Sequence, residues 1–585
     1  PAGANVIGTI GLGSANSLPS LSGELNRVYR DSSGNIVEIL NTPLALIKNG
    51  LPCLGGGCAS APFAGRSDSL MPYRENLTPH EVSHLLKKAA LGANPAIYTV
   101  CVNQGLSACI AALQNYQEPF DVSAKALEVA EAEFYSEGIW NMNGGRNWWL
   151  TQLRYGNPLR GKASLILHDH IATSVDPYDG NGQTHHFVKE HLDLLWNNSL
   201  GNYRTFVKSW LFDKANSREL NFVDNHCGLT DEIGKPACNE NGPREYFELQ
   251  LTGTKDPFTG EAVYSENDVV NGFSHALSGF VDWTTSNPSY AGTSWDAGLW
   301  YGSTYGATEV FAGTPFHTYA IFDYDSFTDY VMQVHTQPAR YLAYTYFSRL
   351  TGVAPTSQIV TKLAAQLRST DYNIEALVLT IIKSQAMFSK ESKRSCVGSP
   401  VENLMFFMRT LDLPLERAPA NVYYWVRQYM SDTGHSLLAP PTVFGFGECF
   451  GHNGPSDGST FLSAQRFLEG PYRNFREILD NIRYLIDSAG TTFTFGQLMP
   501  FPGASPSQLA DSLALRLGCE LSSPERNALA EYLATRKDYD IGGSNGATYP
   551  LDWDPETSTY YSNIVNSKIP GAIEILFAHP CGSMR

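Results

Sequence analysis

Thr78-Pro79-His80-Glu81-Val82-Ser83-His84-Leu85-Leu86-Lys87-Lys88-Ala89-Ala90 decides the class of the fold. Thr78 with Glu81 three residues on is a capping box, and Pro79 stands at the first helical position. Leu85, Leu86, Ala89 and Ala90 then recur at helical spacing. The stretch also spells His80-Glu81-x-x-His84, the zinc-protease pattern in which two imidazoles one turn apart hold the metal. Its place in the first turn gives Glu81 a capping role instead, and no Gly-x-x-His follows at metzincin spacing. The reading is a helix start.

Working outward, helical spacing is expected over 123–136, 147–155, 158–172, 184–196, 203–212, 243–251 and 266–277. It resumes over 338–350, 357–367, 374–383, 401–410, 417–430, 473–486, 507–517, 524–535 and 559–577. Between these two groups, 281–327 is rich in Trp, Tyr, Gly, Ser and Thr and loses helical periodicity, as does the Pro- and Gly-rich 438–458. The fold class is therefore mainly α: a large multi-helix body with long irregular Gly/Tyr/Trp-rich insertions and short strands at most. Four regions are expected: an extended Gly/Ser-rich N-terminal arm over 1–76, an N-terminal helical part with His/Glu clusters over 77–280, an aromatic-rich loop insertion over 281–330, and a C-terminal helical part over 331–585.

Composition excludes several functions. The 585 residues are 43% hydrophobic, enough for a full core, but only 17% charged, with 12% aromatic. The net charge of −17 argues against binding a nucleic-acid backbone, which needs clustered Lys and Arg. No apolar run reaches the length of about 18 residues that a spanning helix needs. Also missing are a P-loop, a dinucleotide glycine fingerprint, a Gly-x-Ser-x-Gly elbow and a Cys-x-x-Cys-His haem site.

Ten cysteines occur, several as close neighbours across turn-rich loops. Cys53–Cys58, Cys101–Cys109 and Cys227–Cys238 are the expected disulfides. Cys396, Cys449, Cys519 and Cys581 allow three pairings that sequence leaves open. A first residue of Pro rather than Met points to a processed chain. Together these predict an extracytoplasmic location: secreted, cell-surface or periplasmic.

The order of several blocks resembles a known family. Residues 77–92 resemble the opening L-L-R-R-A-T-F-G of the bacterial family called domain of unknown function 1800. Pro158-Leu-Arg-Gly-Lys162 and Leu167-His-Asp-His-Ile-Ala-Thr-Ser174 are similar to its P-L-R-E-K and W-H-N-H-F-A-T-S. Asn239-Glu-Asn-Gly-Pro-Arg-Glu-Tyr-Phe-Glu-Leu249 resembles N-E-N-x-A-R-E-L-x-E-L, and Pro440-Pro-Thr-Val-Phe-Gly-Phe446 resembles P-S-V-F-N-F. Leu167 replaces the aromatic of the family block, His275 stands where an Arg is expected, and Gly242-Pro243 is an unusual insert. The resemblance runs from about residue 77 to the C-terminus. It implies export and a mostly helical body, and no settled activity.

Two clusters carry the candidate chemistry. His168-Asp169-His170 ends an apolar helix, followed by His185, His186, Glu190 and His191. Glu240, Arg244, Glu245 and Glu248 lie on one short helical stretch. The enzyme reading combines them: His168, Asp169, His170, Glu245 and Glu248 as a catalytic acid–base set, with His168, His170 and Glu248 as ligands of a divalent transition metal. Asp176 to Gln183 resembles a calcium loop in composition but lacks its spacing. The structural reading makes Arg244 a buried clamp on Glu240 or Glu248. Aromatic 281–327 would suit a polysaccharide or another polymer as substrate. The alternative function is a non-catalytic surface or assembly protein, a scaffold or filament, whose partner is itself or another cell-surface component.

Overall fold

The computed structural model describes residues 24–30, 36–43, 63–132, 142–175, 187–220, 222, 225–230, 236–278, 308–320, 322–415, 421–440, 445–446, 470–482, 493–501, 503–537, 548–557 and 559–583. The fold is mainly α, and strands among these residues form four two-stranded antiparallel pairs. One of them, Glu24–Arg30 with Ile36–Pro43, falls within the residues expected to form an extended arm.

Pro79–Ala90 begins at the capping box expected from its sequence. The buried Glu81 carboxylate caps Thr78, accepts the Tyr73 hydroxyl at 2.7 Å and takes Arg74 at 2.8 Å. His84 Nε2 meets the Met387 carbonyl at 2.7 Å. Glu81 and His84 of the His-Glu-x-x-His string therefore serve the fold. The same device recurs at Ser399 with Glu402, Ser505 with Gln508 and Ser522 with Glu525, each with Pro in the first turn.

Two helices arise where none is expected, Pro95–Gln104 and Leu106–Gln114, joined by the Cys101–Cys109 disulfide. A third, Tyr324–Val334, overlaps the end of the expected loop insertion. Asp323 caps it. One hydrophobic cluster runs from Tyr73 to Cys581 and includes side chains from both helical parts. Pro158–His170 lies inside it, packed beside Pro79–Ala90 and Met142–Tyr155. Among the described residues, Cys227–Cys238 and Cys519–Cys581 are also bonded, and no thiol is free. The expected Cys53–Cys58 pair lies outside them, as does Cys449. No helix of the described residues is long and apolar enough to cross a membrane.

Candidate acid–base site

Asn157 caps Pro158–His170, and the helix ends at Ile171, so its last turn delivers three polar side chains into the core. His168 Nε2 accepts the Leu438 N–H at 3.2 Å, and its ring packs on Trp149. That bond uses the Nε2 lone pair and places the ring proton on Nδ1, which is buried without a partner. Burial, with His191 and His435 adding to it, holds the imidazole well below its usual pKa. Asp169 forms a buried ion pair with Arg349 and accepts the Phe446 N–H. A Cβ on Gly445 would lie 2.3 Å from the Asp169 carbonyl oxygen, so the chain passes there only as glycine. His170 Nε2 lies 2.9 Å from the Tyr203 hydroxyl, which donates to the Gln250 carbonyl at 2.6 Å. Tyr203 has one proton to give, so His170 is the donor in the first bond. Burial lowers His170 to about 4.

The second cluster sits where a helix changes pitch. Asn241–Glu245 is α-helical and continues as a π-helical stretch, Tyr246–Leu251. A second π-helical stretch, Asp268–Phe273, packs against it, with Phe247 stacked on Phe273 at 3.6 Å. Glu245 is partly buried, and its Oε2 has no hydrogen-bond partner. Burial first, then Glu248, raise its carboxyl above 4.5, while Arg244 opposes them. Glu248 accepts the Tyr264 hydroxyl at 3.1 Å. Burial and Glu248 raise that phenol far above its usual range. Tyr203 connects the clusters, since it binds His170 on one side and the backbone of the π-helical stretch on the other.

The expected clamp forms on Glu240, one of its two expected partners, but it is less buried than expected and gains Glu266. Arg244 holds Glu240 at 2.9 Å and Glu266 at 3.0 Å, not Glu248, and it is 24% exposed. The reason is local: Arg244 is half-buried on an α-helical segment only five residues long, and its side chain reaches outward to the exposed Glu266. The expected metal set does not converge. Among the described residues, the donor groups that close within 4.8 Å are Cys227, Cys238 and His275, and Cys519, His579 and Cys581. Their cysteines are disulfide-bonded. His168, His170 and Glu248 form no such group, and the proton on His168 Nδ1 blocks ligation from that nitrogen. The calcium-like 176–183, with His185 and His186, lies outside the described residues, as does all of 281–307.

Sequence reading missed several partners. His191 Nδ1 donates to Asp213 at 3.1 Å, both fully buried, while neighbouring Glu190 pairs with Lys214 at the surface. Asp213 also caps the next helix through the Asn216 N–H, and that signal was readable in Asp213-Lys-Ala-Asn216. Tyr203, Arg349, Tyr264 and Glu266 reach the clusters from distant sequence and left no local signal.

Residues 84–556 match the profile of the family described as "Protein of unknown function (DUF1800)". No curated protein and no solved structure matches the chain.

Proposed function

Because the chain belongs to the DUF1800 family, whose description assigns no activity, we propose a function from the geometry: an exported enzyme with an acid–base pair, Glu245 and Glu248, acting on an extracellular polymer. The observation that carries this reading is the Glu245 carboxyl, whose Oε2 is buried without a partner. Desolvation and a neighbouring carboxylate both favour its protonated form, the form that donates a proton. Glu248 accepts a hydrogen bond from the Tyr264 hydroxyl, an arrangement suited to the ionised member of the pair. Pitch changes of the π type occur often at functional sites, and this one begins directly after Glu245. His170 and Tyr203 are positioning residues, since they fix the Gln250 carbonyl two residues beyond Glu248. Asp169 belongs with Arg349 to the scaffold. Export is supported by the disulfides, and the polymer by the Tyr- and Trp-rich composition.

Two measurements test the reading. Carboxyl-carbon NMR follows the titration of Glu245 directly, and reducing-end release from bacterial polysaccharides compares wild type with Glu245→Gln. A Glu245 midpoint at or below 4.5, or a Gln variant as active as wild type, removes it. A second reading, self-assembly, rests on Tyr319 and Tyr549, both exposed on two-stranded pairs. Size-exclusion chromatography decides it, because a monomer at high concentration leaves those tyrosines without a role.

A further inference from the structure

The three disulfides whose partners both lie among the described residues differ in what can reach them. Cys101 and Cys109 are fully buried, and Cys519 and Cys581 are 2% and 3% exposed. Cys227 is 3% exposed, but its partner Cys238 is partly exposed, so this bond is approachable from the Cys238 side. Thiol–disulfide exchange needs such an approach, an acceptor for the proton of the attacking thiol, and a place for the thiol that leaves. The fold provides the other two as well. One ring nitrogen of His275 lies within 4.8 Å of both sulfurs. Burial holds His275 below its ordinary 6.5, so the ring is neutral at pH 7 and can take a proton. Cys227 Sγ stands 3.2 Å from Asn225 Oδ1 and 3.5 Å from the Ser274 carbonyl oxygen. A disulfide sulfur has no proton for these oxygens, whereas a thiol in the same place donates to them. Asn225 Oδ1 has room for that bond, since the Asn239 N–H at 3.1 Å uses only one of its two lone pairs. Asn225 is itself fully buried and fixed, donating to the Ser274 carbonyl at 2.8 Å. His579 lies as close to Cys519 and Cys581, but there both cysteines are shut in.

We propose that Cys227–Cys238 is a thiol-exchange site, at which a small external thiol becomes bonded to Cys238. The attacking sulfur forms its bond to Cys238 Sγ as the bond between the two cysteines breaks, and the electron pair of that bond goes to Cys227 Sγ. His275 takes the proton of the attacking thiol and passes it to Cys227, which then donates to Asn225 Oδ1. The attacking thiol is oxidised to one half of a mixed disulfide, Cys227 is reduced, and no proton is gained or lost overall. A second molecule of the small thiol releases the first from Cys238 as the oxidised dimer and leaves both cysteines reduced. Cys238 stands two residues before Glu240, outside the acid–base pair, and the exchange does not depend on that pair.

The test uses the full chain in its native state, with reduced glutathione as the probe. Samples are trapped at intervals in N-ethylmaleimide and denaturant, and their peptides are mapped by mass spectrometry. Early samples should carry glutathione on Cys238 and maleimide on Cys227, before either group appears on Cys101, Cys109, Cys519 or Cys581. His275→Ala should slow the exchange by about a hundredfold, the lower end of what a positioned acid–base group contributes. A substitution that merely loosened the fold would act with the opposite sign, speeding exchange at all three disulfides. The wild-type order of labelling and the position of the adduct would then decide alone. Glutathione on Cys227 instead of Cys238, exchange at Cys227–Cys238 no faster than at Cys519–Cys581, or an unchanged rate in a folded His275→Ala overturns the proposal.

Discussion

The end of Pro158–His170 and the stretch from Glu240 to Glu248 look alike as strings, each packing several titratable residues into a few positions. They differ in what compensates burial. His168 and His170 are buried and meet dipoles: a backbone N–H in one case and a tyrosine hydroxyl in the other. Arg244 stays 24% exposed and meets full charges on Glu240 and Glu266. Water screens the second arrangement and not the first. A cluster of charges in sequence therefore predicts neither strength nor function until its burial is known.

Acid should separate the two regions most strongly. His170 and His435 are both buried and pushed down to about 4, against 6.5 for the free ring. Between those values the unfolded chain binds more protons than the native one, so stability is complete above pH 6.5 and is lost as pH falls toward 4. Each ring contributes roughly 3 kcal/mol to that loss. Urea denaturation at pH 7 and pH 4.5 measures it, and equal stability at the two would mean that these rings are not buried in their neutral form.

Next in size is Arg349→Ala. It leaves the Asp169 carboxylate buried and unpaired beside the Phe446 N–H, at a cost of about 3–5 kcal/mol. Arg244→Ala removes an ion pair whose partner Glu266 is 69% exposed, so it should cost about 1 kcal/mol or less. Denaturation midpoints of the two variants set the comparison directly. Equal losses would show that the Arg244 pairs are screened no more than the Asp169 pair.

Much of the fold was legible because helix starts are local. Thr78 with Glu81 and Ser507-Gln508 with its preceding Ser505-Pro506 state their own caps. The helix Pro95–Gln104 was missed although Asn94-Pro95 is a cap signal, because its apolar residues do not gather on one face. At the site, the Glu245 and Glu248 pair is visible three residues apart. The ion pair of Asp169 with Arg349 spans much of the chain, and no local pattern announces it. The burial of Arg244 was misjudged because five α-helical residues are too few to tell an inner face from an outer one.

Glu245→Gln gives the smallest effect and the sharpest sign. Burial and Glu248 raise this carboxyl, whereas burial lowers the histidines, so the two regions have opposite pH slopes. Above 4.5 the native chain holds a proton at Glu245 that the unfolded chain has lost. The contribution of Glu245 to stability is therefore complete at low pH and falls as pH rises through the raised value. Gln keeps the shape and cannot ionise. The variant should match wild type below pH 4.5, and at pH 7 it should equal or exceed wild type by about 1 kcal/mol or less, the range of a mild substitution. The pair of curves, measured by urea denaturation across this range, isolates one carboxyl from the histidine background, because both proteins share that background. If the Gln variant is the less stable one at pH 7, then Glu245 works as an ion held by Arg244, and its role as a proton donor is lost with it.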